Sequence, residues 1–302
     1  MKNRNIFRIS DLTVEDVEEI FQTAAMFKKE IRAGKRKFDN LKGRTVLNIF
    51  FENSTRTRTS FELAGKRLGA DVINISVATS SVKKGESLMD TAKTLDAMHV
   101  DSYIIRHSAA GAPQLFAKYV NGNVINAGDG TCEHPTQALL DAFTIKEQKG
   151  NLEGLNVAIV GDILHSRVAR SNIHLLKMLG SKVTLVGPNT LVPSEFKSFG
   201  VEVTNDIDSI IEKVDVLNML RIQMERQNDS FFPTLKEYSE LYGLNSKRVA
   251  RTKKDVVIMH PGPMNRGVEI GFDVADCERQ FILEQVENGV AIRMALLYLT
   301  LK

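Results

Sequence analysis

Apolar residues near the start of the chain recur at a helical period. Val17, Ile20, Phe21, Ala24, Phe27 and Ile31 follow the three-and-four spacing of one buried face, after Thr13, which can cap a helix, and before Gly34, which ends one. Short apolar runs then alternate with helical patterns. VLNIFF (46–51), DVINISV (71–77), SYIIR (102–106) and NVINA (123–127) read as strands. Segments through Phe61, Ala64 and Leu68, from Leu88 to Met98, from Ala112 to Tyr119 and from Thr136 to about Lys146 read as helices. Apolar strands separated by helices predict a parallel sheet with helical cover.

The polar, glycine-containing stretch EQKGNLEG (147–154) interrupts this alternation and places a domain boundary there. Beyond it come NVAIV, a helix to Leu179, KVTLV, a segment near VEVT, DVLNML and DVVIM. The expected fold class is α/β, with two doubly wound parallel-sheet domains in tandem, 1–150 and 151–283. Apolar positions from Phe281 to Leu301, including Val286, Val290, Ala291, Met294, Leu297 and Leu299, predict a long closing helix.

Composition narrows the function. A length of 302 residues suits two domains, and 43% apolar with 25% charged residues is ordinary globular usage. Forty Lys plus Arg against 37 Asp plus Glu leave a net charge of +3, too small to make nucleic acid or membrane the default partner, so an anion site has to be local. The basic cluster Lys35, Arg36 and Lys37 has no interleaved aromatics for stacking bases and reads as a solvated loop. MKNRNIFRIS lacks a signal-peptide core, and no apolar run approaches the roughly 20 residues of a membrane span, so a cytoplasmic location is expected. Cys132 and Cys277 form neither a CxxC pair nor a disulfide framework, and Cys132 with His134 is too small a set for zinc. No metal and no other cofactor is expected.

The densest candidate chemistry is FFENSTRTRTSFELAG, which runs from a strand into a helix N-terminus where backbone N–H groups face the loop crevice. The hydroxyls of Ser54, Thr55 and Thr57 add neutral donors, and the Arg56 guanidinium adds a charged fork suited to phosphate oxygens. Arg58, two residues on, points to the other side of a helix and cannot reach the same ligand. There is no GxxxxGK[ST], and NVAIVGD lacks the glycines of GxGxxG, so ATP and NAD fit poorly.

With STRTRTSFE, the segments SSVKKGES (80–87), GDGTCEHPTQALLDA (128–142) and GDILHSRVARSN (161–172) resemble the aspartate/ornithine carbamoyltransferase family over essentially the whole chain. NMLRIQMER (218–226) and HPGPMNRG (260–267) are similar to the aspartate-accepting branch, and Pro261 stands where ornithine-accepting members carry the cysteine of HCLP. The resemblance implies transfer of the carbamoyl group of carbamoyl phosphate to L-aspartate, giving N-carbamoyl-L-aspartate and phosphate, in de novo pyrimidine biosynthesis. It implies a phosphate cradle of Ser54, Thr55, Arg56 and Thr57, and Thr57, Arg106 and His134 as donors to the carbamoyl oxygen. Gln137 and the Gly262 and Pro263 carbonyls would hold the carbamoyl NH2, across a cis Gly262–Pro263 bond. Arg167, Arg221 and Gln223 would clamp the aspartate carboxylates. Ser80 and Lys84 would enter from a neighbouring subunit of a homotrimer with shared sites. Regulatory chains are a further partner that the resemblance admits, and helix 284–302 would pack back on the first domain. Three other readings stay open at this level: ornithine as acceptor, a non-catalytic phosphate-ligand binder, and a nucleic-acid binder. Intact Arg106, His134, Gln137 and Arg221 argue against the second.

Overall fold

The computed structural model describes residues 5–76, 86–222 and 234–302, without the side chain of residue 76. The chain forms two compact units, Met1–Leu140 with Glu287–Lys302, and Asp141–Val286. In chain order the elements are α1 (Val14–Arg32), β1 (Thr45–Phe50), α2 (Thr55–Arg67), β2 (Asp71–Ser76), α3 (Leu88–Asp96), β3 (Ser102–His107), α4 (Ala112–Phe116), β4 (Asn123–Asp129) and α5 (Pro135–Lys149). There follow β5 (Asn156–Val160), α6 (Arg167–Met178), β6 (Lys182–Val186), β7 (Glu202–Thr204), β8 (Val216–Met219), α7 (Leu235–Tyr242), α8 (Ser246–Arg251), β9 (Val257–Met259) and α9 (Ile282–Leu301).

Among the described residues the first sheet has the order β2-β1-β3-β4 and the second β7-β6-β5-β8-β9, with every pairing parallel. This is the expected α/β class. Parallel strands covered by helices are buried on both faces, and β1, β4, β5, β8 and β9 are buried at nearly every position. In the first unit Leu47, Ile49, Tyr103, Ile105 and Val124 pack with Ala92, Leu95 and Phe116 from the covering helices.

Thr13 caps α1 in a reciprocal box with Asp16, and Gly34, at φ 101°, follows its end. All six apolar positions of its predicted face are buried. The closing helix α9 forms as expected and packs on the first unit's helices. Tyr298 meets Phe27 edge to face at 5.8 Å, Arg293 lies 5.1 Å from the ring of Phe61, and Glu287 takes two hydrogen bonds from Arg32 at 2.9 and 2.7 Å.

Two features depart from the pattern reading. Helix α5 continues through Glu147, Gln148 and Lys149, all good helix formers, and stops only at Gly150, at φ 82°. Helices α7 and α8 are absent from that reading because they span only 8 and 6 residues, although Leu235, Tyr238 and Tyr242 keep helical spacing in α7. Local caps start both: Thr234 accepts from the Glu237 N–H and Asn245 from the Arg248 N–H. Among the described residues no helix is long and apolar enough to cross a membrane.

Candidate active site

The first unit collects its candidate residues at the carboxyl ends of three neighbouring strands, β1, β3 and β4. Ser54 stands at the N-cap of α2, just beyond β1, in an extended conformation, and its side chain makes no capping hydrogen bond. Thr13, Ser87, Ser166, Thr234 and Asn245 all do cap their helices. The hydroxyl and the first N–H groups of α2 are thus not spent on each other, the arrangement an anion needs. Arg56 is exposed, while Thr57 is buried.

Arg106 sits beside this helix start because Phe50 pairs with it in the sheet and the Phe51 N–H donates to its carbonyl at 2.9 Å. Its guanidinium donates to the Ala127 carbonyl at 3.3 Å, and its Nε lies 3.5 Å from the Glu52 carboxylate. Two contacts, one from β4 and one from the β1 outlet, aim the group.

His134 precedes Pro135, the first residue of α5, and its carbonyl accepts the N–H groups of Gln137 and Ala138. His134 and Gln137 are both buried. The preceding loop is held by the fully buried Asp129, which accepts from the Asn126 side chain at 2.8 Å and from the backbone N–H groups of Glu133 at 3.1 Å and Gly111 at 2.7 Å. Glu133 in turn accepts the Ile9 N–H at 3.0 Å. Asp129 and Glu133 thus fix the loop that leads into His134. The segment GDGTCEHPTQ contains both, yet their tasks become visible only with these bonds.

The second unit repeats the plan at the carboxyl ends of β5, β8 and β9. Gly161 ends β5, and Asp162 accepts from the ring of His165 at 2.9 Å. Ser166 caps α6 through the Ala169 N–H, which places Arg167 in the first turn, buried. Arg221 follows β8. Gly262 and Pro263 follow β9, joined by the expected cis peptide bond, and the Gly262 N–H donates to His260 Nδ1 at 2.8 Å. Ser80, Lys84 and Gln223 lie outside the described residues.

Sequence reasoning passed over Glu269. It is fully buried, burial pushes its carboxyl above the usual range, and it accepts hydrogen bonds from the Ile222 and Asn265 N–H groups. No spacing rule marks a single glutamate in GVEIG. Among the described residues no group of three or more His, Cys, Asp or Glu side chains is placed to hold a metal.

Comparison with known proteins gives the family. Residues 4–147 match the family model of the aspartate/ornithine carbamoyltransferase carbamoyl-P binding domain, and residues 153–300 that of the Asp/Orn binding domain. An aspartate carbamoyltransferase catalytic subunit of Granulibacter bethesdensis is 58% identical, over 97% of this chain and 93% of that one. A second, of Heliobacterium modesticaldum, is 55% identical over 99% and 96%. The crystal structure of aspartate transcarbamoylase from Trypanosoma cruzi in complex with carbamoyl phosphate and aspartate superposes with a TM-score of 0.89 at 32% identity, covering 97% of this chain and 95% of that one. The same enzyme in complex with carbamoyl aspartate and phosphate gives 0.87 at 31% identity, with the same coverage. With both halves matched in order and near-complete coverage, the chain belongs to the aspartate/ornithine carbamoyltransferase family.

Proposed function

We infer that the chain transfers the carbamoyl group of carbamoyl phosphate to the α-amino group of L-aspartate, releasing N-carbamoyl-L-aspartate and phosphate. The observation that carries the reading is the uncapped start of α2, bearing Ser54 to Thr57, set beside Arg106 by the pairing of β1 with β3. Carbamoyl phosphate places its phosphate against Ser54, Thr55, Arg56 and Thr57, and its carbonyl oxygen against Thr57, Arg106 and His134. Gln137 and the carbonyls of Gly262 and Pro263 take the NH2. Arg167, Arg221 and Gln223 hold the aspartate carboxylates, with Ser80 and Lys84.

The neutral amine attacks the carbamoyl carbon, and the resulting oxyanion is met by donors already in place. Its collapse breaks the bond to the phosphate oxygen, and the departing phosphate accepts the amine proton. Positioning and charge neutralisation supply the rate, without a dedicated side-chain base. Residues 1–150 form the carbamoyl-phosphate domain and 151–283 the aspartate domain in this reading. The protein works in the cytoplasm, in de novo pyrimidine synthesis, as a homotrimer whose sites are completed by Ser80 and Lys84 of a neighbouring subunit. Regulatory chains are a further partner class.

The deciding experiment incubates the purified protein with carbamoyl phosphate and either aspartate or ornithine, scoring carbamoyl-amino acid and phosphate together. Carbamoylaspartate and phosphate in equal amounts are expected; citrulline without carbamoylaspartate overturns the reading. Arg221→Ala removes one partner of a buried carboxylate pair and should weaken aspartate by about 2–5 kcal/mol.

A further inference from the structure

We propose that Glu269 is a positioning residue, holding Arg221 and the loop from Gly262 to Asn265 in register for the acceptor. The inference rests on the reading of Arg221 as an aspartate clamp. Both oxygens of the buried carboxylate are engaged. Oε1 accepts the Ile222 N–H at 2.7 Å and the Asn265 side-chain N–H at 2.8 Å, and Oε2 accepts the Asn265 backbone N–H at 2.8 Å. The Glu269 carbonyl accepts the Leu244 N–H at 2.9 Å, which ties the residue to the turn between α7 and α8.

Ile222 is the residue after Arg221, and Asn265 lies two residues after Pro263. One side chain thus bridges the outlets of β8 and β9, neighbouring strands of the second sheet. Arg221 is pinned on both sides, since the Leu220 N–H donates to the Val160 carbonyl at 2.7 Å and the Ile222 N–H donates to Glu269. β8 ends at Met219, so beyond it these two bonds hold the backbone from which the guanidinium starts.

The chemistry calls for a carboxylate. All three partners are N–H donors, and none, among the described residues, is a cation. An amide of the same shape turns an NH2 toward one of them, and an apolar side chain leaves all three without an acceptor in a buried place. Burial of an acid without a counter-charge is costly, which a packing role alone does not call for.

The test compares Glu269→Gln, Asn265→Ala and Arg221→Ala in the full chain, measuring melting temperature together with kcat and KM for aspartate at saturating carbamoyl phosphate. Displacement of a binding group by about 1 Å can cost up to about 100-fold, so Glu269→Gln should raise the aspartate KM by about tenfold or more in protein that is still folded, with a smaller fall in kcat. Asn265→Ala keeps the backbone bond and should raise KM by about two- to fivefold. A lower melting temperature with KM within about twofold of the parent assigns Glu269 to stability alone and overturns the proposal. If Glu269→Gln does not fold, Asn265→Ala decides, and an unchanged KM overturns it. The Arg221→Ala arm separates the two readings. A raised KM there with an unchanged one in Glu269→Gln defeats positioning only; an unchanged KM in Arg221→Ala defeats the clamp and the proposal together.

Discussion

Only glycine fits between Val160 and Asp162. Gly161 has φ 132°, and a Cβ there would lie 3.0 Å from the Leu220 carbonyl and 3.1 Å from the Leu220 Cβ. Those atoms belong to the residue before Arg221, so the outlets of β5 and β8 approach through this missing side chain. Gly161→Ala is expected to cost about 1–3 kcal/mol of stability and to raise the aspartate KM, checked by denaturant titration and kinetics on the same preparation. His107, next to Arg106, carries a pH signature. Its burial, offset in part by Glu52 and Asp129, pushes the imidazole below the ordinary value of 6.5, and Nδ1 accepts the Ala109 N–H at 2.8 Å. A base depressed by folding takes up its proton first in the unfolded chain, so stability falls as pH drops from 6.5 through the folded value. In His107→Gln, the loss of melting temperature between about pH 7 and about pH 5 should shrink; an undiminished loss rules this out.

At the scale of elements, α9 has to be anchored to the first unit. Ile292, Ala295, Leu296 and Leu297 are fully buried, and Leu297 Cδ1 stands 3.8 Å from where a Cβ on Gly65 would lie. Leu297→Ala should therefore cost about 2–5 kcal/mol, read as a fall in unfolding free energy. The Arg32–Glu287 pair, which ties α1 to α9, is half exposed and is worth only about 0–1 kcal/mol. The hydrogen bond from Arg32 is the main cause that holds the Glu287 carboxyl below 4.5, so its contribution is present above that pH and disappears as pH falls through the folded value. The melting curves of Glu287→Gln and its parent should differ slightly at neutral pH and converge near about pH 3.

For the whole molecule the expectation concerns shared sites. If Lys84 completes the pocket of a neighbouring subunit, mixing Lys84→Ala with Arg56→Ala after dissociation pairs some intact Lys84 with intact Arg56, and activity returns. Self-sufficient subunits each carry a lesion in every hybrid and stay inactive. Persistent inactivity, with mixed oligomers confirmed by mass spectrometry, ends the shared-site reading. Scattering curves with and without a bisubstrate analogue test closure of the two halves, as compaction on binding.

The pattern of apolar and polar positions by itself determined the strands, the α/β class and the closing helix, because each depends on a period that neighbouring residues carry. STRTR stood out by its residue types, and GDGTCEHPTQ only through the family resemblance. What the pattern missed was set at longer range. The buried stripe of α9 leaves out Val286, which is 49% exposed although its spacing fits, because packing partners and not period decide burial. Helices α7 and α8, of 8 and 6 residues, are too short for a period to announce them, and caps mark their starts. The sheet order brings the outlets of β1, β3 and β4, and of β5, β8 and β9, side by side. The same order turns Asp129, Asp162 and Glu269 from isolated acids into acceptors that hold the loops at those outlets. Those assignments depend on hydrogen bonds to backbone N–H groups, up to 47 residues away for Glu269, and a backbone N–H leaves no mark in a sequence.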